Sequence, residues 1–569
     1  MTDLTWSQLL SHPGIILILG ACLMTVLPLR LRNIFALLLP LVALVFALRL
    51  PRELTTELWL MGYQLHPLYI DGLSWIFTLI FVIAAFISAL YSLHNEDRVE
   101  QTTVPFYAGS AIVAVLAGDL LTLFIAWEIS AISSAIIIFS GRSTAAEKAG
   151  MRYLLIHILS GLCLLLGSLL HYQTHQSLAF TGMQLSSIAG FLIFIAFAIK
   201  CAFPLLHNWL QDAYPQASPT GTVALSAFTT KLAVYCLARG YAGTESLIWI
   251  GAVMAAFPIF FAVIENDLRK VLSYSLNNQL GFMVVGVGIG TELSLNGTAA
   301  HAFCHILYKA LLFMSMGAVL HRTGTVKASE LGGLYKSMPW TAGFCIIGTL
   351  SISAFPLFSG FIAKGIILYS VAEQGYWLIW LVLLFVSGVL DQSGIKVPFF
   401  SFFSHDSGLR CKEAPTNMLL AMGVTALACI LIGIFPNVLY QHLPYEMNYH
   451  PYTFDHVITQ LQLIFFALLA FVVLIRNGWY PAQINSVNLD SDWLYRKPLN
   501  ALVQSSKQMF SSLLNIWQSY KYSLASNVIA LLEQSNGPQS SIARGTSVGN
   551  MVTWVSVLLS ACLIIYFIY

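Results

Sequence analysis

Residues 190 to 210, GFLIFIAFAIKCAFPLLHNWL, form an apolar run long enough to cross a bilayer, and comparable runs recur along the chain. In hydrocarbon no water satisfies a peptide group, so each run must bond its own backbone as a helix. The pattern predicts an all-α polytopic membrane protein. Composition agrees, with 58% hydrophobic and only 9% charged residues, where soluble domains carry roughly a quarter charged. Apolar windows predict about sixteen helices. They lie near 12–29, 33–50, 69–93, 104–118, 119–140, 150–171, 186–209, 218–241, 246–264, 267–290, 296–320, 338–366, 370–403, 415–436, 456–476 and 548–568.

Several function classes are excluded. A formal net charge of +2 is too small for nucleic-acid binding. The nine Cys are scattered with no CxxC, so iron–sulfur, zinc and disulfide frameworks are not expected. There is no GxGxxG or Walker-type loop, and His171 and His175 lack a third ligand. We expect no cofactor and no metal. The apolar stretch after Ser11 lacks a basic lead, so no cleavable signal peptide is expected.

Basic residues set the orientation. Most of the 27 Lys+Arg fall in loops after odd-numbered spans, whereas Arg49, Arg52 and Arg239 follow even-numbered ones. The positive-inside rule then places both termini in the periplasm. Five lysines remain inside spans: Lys200, Lys231, Lys309, Lys364 and Lys396. Glu128, in LLTLFIAWEISAISSAI, joins them. Lys231 and Lys309 are too deep to snorkel, and ionisable residues at that depth mark an ion path. Lys396, near the end of its span, fits either reading. His207 and Asp212 fit a half-channel mouth or ordinary interfacial polarity equally well. Asp267, Arg269 and Lys270 read as a helix cap and topology anchor.

A repeat accounts for the proline in the opening run. IHILSGLCLLLGSLL at 156–170 matches CHILYKALLFMSMGAVL at 304–320, pairing His157 with His305. A similar offset separates Pro204 in CAFPLLHNWL from Pro356 in SAFPLFSGFIAKG. We expect two five-helix units, 104–241 and 246–403, the second inverted because five is odd. N-terminal helices (1–103), C-terminal helices (404–484), a polar amphipathic segment (485–547) and a final span (548–569) flank them. Inverted repeats with broken helices near the midplane are a transporter architecture. Lys200 precedes its proline by about one turn, and Lys364 follows its own by about two.

Four runs now stand together: AIKCAFPLLHNWLQDAYPQASPTGTVALSAFTTKLAVY, ENDLRKVLSYSLNNQLGFM, HAFCHILYKALLFMSMGAV and FPLFSGFIAKGIIL. In that order they resemble the antiporter-like membrane subunits shared by respiratory complex I and Mrp-type cation/proton antiporters. The resemblance covers residues 65 to 480 and is nearest to the D-type subunits of Na+/H+ antiporters, which SGIKVPFFSFFSHDSGLRCKEAP also resembles. It implies fourteen to sixteen helices, two half-channels and a central charged axis. Glu128 matches the family's glutamate on the fifth span and Lys200 its partner on the broken seventh. Lys231 matches the lysine of the eighth, Lys309 the central lysine of the second half, and Lys364 the lysine of the second broken helix. His301 and His305 fall at relay positions. Asp391 departs from the pattern, which has His or a neutral residue there.

The resemblance implies a proton-translocating subunit of a bacterial inner-membrane complex, exchanging H+ for Na+ beside other membrane subunits. Alternatives are a proton-pumping membrane-arm subunit of an NADH:quinone oxidoreductase or membrane hydrogenase, and the proton-conducting partner of an inorganic-carbon uptake complex. A lysine removed from water releases its proton more readily, and a nearby carboxylate opposes that release. Pairing and separating the two therefore moves protons without a cofactor.

Overall fold

The computed structural model describes the chain except residues 1, 4, 6, 7, 9, 389–391, 486–487, 538–539, 541–546 and 569. It comprises two units, Met1–Asn488 and Leu489–Tyr569. Among the described residues, ten helices are long and apolar enough to cross a membrane, and shorter apolar helices such as Ile188–Lys200 and Pro339–Ile352 join them. The chain is a multi-pass, helical membrane protein.

In the first unit, α1 (Pro13–Met24) and α2 (Leu29–Arg49) precede a small ribbon. Strands β1 (Thr2–Asp3), β3 (Tyr63–Leu65) and β4 (Tyr69–Ile70) all pair with β2 (Leu54–Leu60). Windows of apolar length cannot register such a ribbon. Its hairpin turns at Met61 and Gly62, both at positive φ (52° and 85°), the backbone twist that suits a two-residue hairpin.

The helical body follows: α3 (Gly72–Tyr91), α4 (Arg98–Leu116), α5 (Leu120–Phe139), α6 (Thr144–His175), α7 (Ile188–Lys200), α8 (Asn208–Ala213), α9 (Pro219–Ala227) and α10 (Thr229–Gly240). Then come α11 (Glu245–Ile264), α12 (Leu268–Ile289), α13 (Glu292–Thr323), α14 (Pro339–Ile352), α15 (Ser359–Glu373), α16 (Trp377–Gly388) and α17 (Gln392–Pro398). Helices α18 (Thr416–Ile434), α19 (Asn437–Tyr440) and α20 (Phe454–Arg476) complete the unit. Nearly all of α12 and α13 is buried. Polar α12 is tolerated because it faces protein rather than lipid. Close approach helps: a Cβ on Gly251 would stand 2.6 Å from the Val285 nitrogen, so glycine lets α11 and α12 touch.

The windows 186–209 and 338–366 each resolve into two helices around their proline, and the second pair runs on to Glu373. The two breaks share a backbone. Ala202 and Leu205, and likewise Ala354 and Leu357, have φ between 54° and 75°. Helix α7 closes with Ala202 N–H on Ile199 O (3.2 Å) and Phe203 N–H on Ala198 O (3.1 Å). Helix α14 closes with Ala354 N–H on Ser351 O (3.1 Å) and Phe355 N–H on Leu350 O (2.9 Å). Both are Schellman closures with alanine where glycine is usual. The window 218–241, read as one helix, is interrupted at Phe228. Thr229 N–H donates to the Tyr107 hydroxyl (2.9 Å) rather than continuing the ladder.

The second unit contains α21 (Asp492–Leu494), α22 (Asn500–Asn536) and α23 (Val548–Ile568). The polar segment expected at 485–547 is thus largely one helix, ending as SNGPQSS begins.

Candidate functional site

Asp119 caps α5 by accepting from Thr122 N–H (2.7 Å), which starts the helix that carries Trp127 and Glu128. Lys200 ends α7 and is fully buried. Its Nζ donates to the Trp127 carbonyl (2.9 Å) and lies 4.0 Å from the Trp127 ring centroid. Among the described residues Glu128 and Lys200 form no direct ion pair; the ammonium rests on the residue before Glu128. Glu128 Oε1 is buried and has no hydrogen-bond partner. Trp127 is fixed by Nε1–H on Ser160 Oγ (3.0 Å), and Ser160 donates to Ala196 O (2.8 Å).

Helix α6 is two-faced. Leu155, Leu159, Leu162 and Leu166 are exposed, while Tyr153, His157, Ser160 and Gly161 are buried. The buried face lies against a hydroxyl cluster in which the Tyr153 hydroxyl meets Ser134 Oγ (2.8 Å) and Thr229 Oγ1 (3.4 Å). The Tyr107 hydroxyl meets Thr229 Oγ1 (2.5 Å). His157 is sandwiched between Tyr153 (4.1 Å) and Trp209 (4.6 Å), and neither ring nitrogen has a partner. Trp209 in turn donates to Ile199 O (2.9 Å). The sequence presents His157 only as the counterpart of His305. That pairing was the signal for its place beside the lysines. Nothing local signals the tyrosines, which the fold brings together from α4 and α6.

The other lysines share a chemistry. Lys231 Nζ donates to Ser226 O (2.7 Å), a carbonyl at the end of α9. Lys364 Nζ donates to Ile352 O (2.5 Å), the last residue of α14. Lys396 Nζ donates to Ala262 O (3.0 Å), Val263 O (2.7 Å) and Glu265 O (2.6 Å) at the end of α11. Helix C-termini present unbonded carbonyls and the negative end of the macrodipole, so they hold ammonium groups without a carboxylate. Charged or neutral, the amine donates to the same acceptor. Lys396 is fully buried, so its geometry is not that of a snorkelling side chain. Lys309 Nζ donates to Ser275 Oγ (2.8 Å). His301 Nε2 lies 3.0 Å from the Tyr308 hydroxyl, and both His305 nitrogens are without a hydrogen-bond partner.

Asp212 pairs with Arg152 (2.6 Å), and His207 packs on Phe257 (4.6 Å). Asp267 caps α12 through Arg269 N–H (2.8 Å). Arg269 does more than anchor a loop: buried, it donates to Pro215 O (2.9 Å) and Ala217 O (2.9 Å), tying α12 to the α8–α9 link. Asp391 lies outside the described residues.

A family model described as NADH:quinone oxidoreductase/Mrp antiporter, TM, matches residues 117–390. The match covers just under half of the chain, and over that stretch the chain is similar to the membrane segment of this family. Within the matched stretch lie Glu128, Lys200, Lys231, His301, His305, Lys309 and Lys364, and Lys396 follows its end. Hydrogenase-4 component B of Escherichia coli is 28% identical over 416 residues, 64% of this chain and 62% of that protein. The D-type Na+/H+ antiporter subunit of Alkalihalophilus pseudofirmus is 27% identical over 333 residues, 54% of this chain and 67% of that protein. The chain spans about half the length of the longer relatives it matches, 52% of the A-type Na+/H+ antiporter subunit from the same organism. The fold matches a chain of the membrane-bound sulfane sulfur reductase, an archaeal respiratory membrane complex. The TM-score is 0.71 at 20% identity, over 97% of this chain and 99% of that one.

Proposed function

We propose that this protein translocates protons as one subunit of a hetero-oligomeric bacterial inner-membrane complex, exchanging H+ for Na+. The observation that carries the reading is the set of buried lysines. Lys200, Lys231, Lys364 and Lys396 each donate to a helix carbonyl and Lys309 to a serine hydroxyl, and Glu128 directly follows Trp127, whose carbonyl holds Lys200. Five lysines buried among apolar helices are costly to keep charged, and ionisable residues at that depth mark ion paths.

In this reading Glu128 approaching Lys200 favours the ammonium, and separation favours release of its proton. The proton passes along the Tyr153–Thr229–Tyr107 hydroxyls toward Lys231, then by His305 and Lys309 to Lys364 and Lys396. Both termini face the periplasm, and residues 142–152 face the cytoplasm.

A second reading is a proton-pumping membrane arm of a redox complex, which the likeness to Hydrogenase-4 component B favours. One experiment separates the two. The native complex is purified and placed in vesicles containing a pH dye. A Na+ pulse that moves protons with no electron donor supports exchange. Proton movement only when an electron donor is supplied to a copurifying redox subunit replaces exchange with the second reading.

A further inference from the structure

The interface of α5 and α6 contains a notch. A Cβ on Gly161 would overlap Glu128 Oε1 and stand 2.5 Å from its Cδ. The carboxylate therefore occupies the volume that any other residue at 161 would fill. Because Oε1 has no hydrogen-bond partner, shape rather than a bond sets its place. The notch is rigid. Just before Gly161, Ser160 accepts from Trp127 and donates to Ala196, which fixes α6 against α5 and α7.

The second half of the domain supplies an independent observation. His157 and His305 lie 148 residues apart (305 − 157), and so do Gly161 and Lys309 (309 − 161). Gly161 thus stands where the second half carries a lysine. There, Lys309 reaches from α13 to Ser275 on α12 (2.8 Å). In the first half the charge sits on the opposite helix of the pair, with Glu128 reaching from α5 into the place a side chain on α6 has vacated.

We propose that Gly161 is the positioning residue of the first half: its missing side chain parks the Glu128 carboxylate away from Lys200 and keeps the pair open. The inference rests on the transport role given above to Glu128 and Lys200. With the notch filled, the carboxylate is displaced out of it and the parked state is lost.

The test uses the whole complex in vesicles, with two readouts: proton flux, and the infrared carboxyl band assigned to Glu128 by its loss in Glu128→Gln. Gly161→Ala is expected to shift that band and lower flux at least tenfold. Glu128→Asp draws the carboxylate back by one methylene, so Gly161→Ala with Glu128→Asp should carry several-fold more flux than Gly161→Ala alone. If Gly161→Ala does not assemble, adding Glu128→Ala should restore assembly, because the overlap is with that side chain. An unmoved band with wild-type flux in Gly161→Ala, or an assembly defect that Glu128→Ala leaves in place, overturns the proposal. Full flux in Glu128→Gln would instead remove the transport reading, while the band would still report whether residue 161 places the carboxylate.

Discussion

Lys200 and Glu128 are held by different means, the lysine on a carbonyl and the carboxylate in a notch. A buried charge without its counter-ion costs several kcal/mol, and pairing recovers only part of that. Such a pair adds little to fold stability but switches readily. Glu128→Gln should cripple flux, and Glu128→Asp should retain part of it. Glu128→Gln with Lys200→Met removes both charges and should assemble without transporting. A double-mutant cycle on flux should then show coupling above about 0.5 kcal/mol; simple additivity contradicts the switch. His157→Phe keeps the aromatic stack but removes both nitrogens. If His157 relays protons, flux falls roughly tenfold or more with assembly intact, whereas unchanged flux makes the ring a packing group. Glu128 and the five lysines were legible in the sequence because charge stands out in an apolar run. The Tyr107–Thr229–Tyr153 cluster was not, since tyrosine and threonine are unremarkable in any one span and acquire meaning only where three helices meet.

At the scale of elements, the two proline breaks were legible because proline cannot extend a helix ladder. The break before Lys231 was hidden, because its cause is tertiary: Tyr107, on another helix, takes the Thr229 N–H. Similarly α4 begins at Arg98, ahead of the window at 104, because Asp97 caps it by accepting from Val99 N–H (3.0 Å), and its polar Gln101 is buried, accepting from Arg32 Nε (2.5 Å). Alanine at positive φ costs about 1 kcal/mol relative to glycine. Ala354→Gly should therefore stabilise the solubilised complex by about that amount, and Ala354→Val should destabilise it, as read by thermal unfolding. The loop after α17 carries a pH-dependent tie. Arg410, then Lys336 and the Gly408 N–H, hold the Asp406 carboxyl well below the usual range. A depressed folded-state value means the tie is complete above the unfolded value, near pH 4, and is lost as pH falls through the folded one. Amide exchange across 404–412, corrected for intrinsic rate, should be the same at pH 7 and pH 5, and Asp406→Asn should raise it at both.

At the scale of the whole molecule, the first unit exposes many large apolar side chains and buries five lysines. The apolar surface predicted helices, and the basic loops predicted their orientation. A cysteine replacing Ser143 should react with an impermeant reagent only after cells are permeabilised; labelling of intact cells contradicts the orientation. The central claim is that protons travel through the buried lysines. It is tested most directly by ion-coupled proton flux in vesicles holding the complex with Lys309→Ala and Lys364→Ala together. We predict an assembled complex with no coupled flux. Flux near the wild-type rate from that variant would contradict the account.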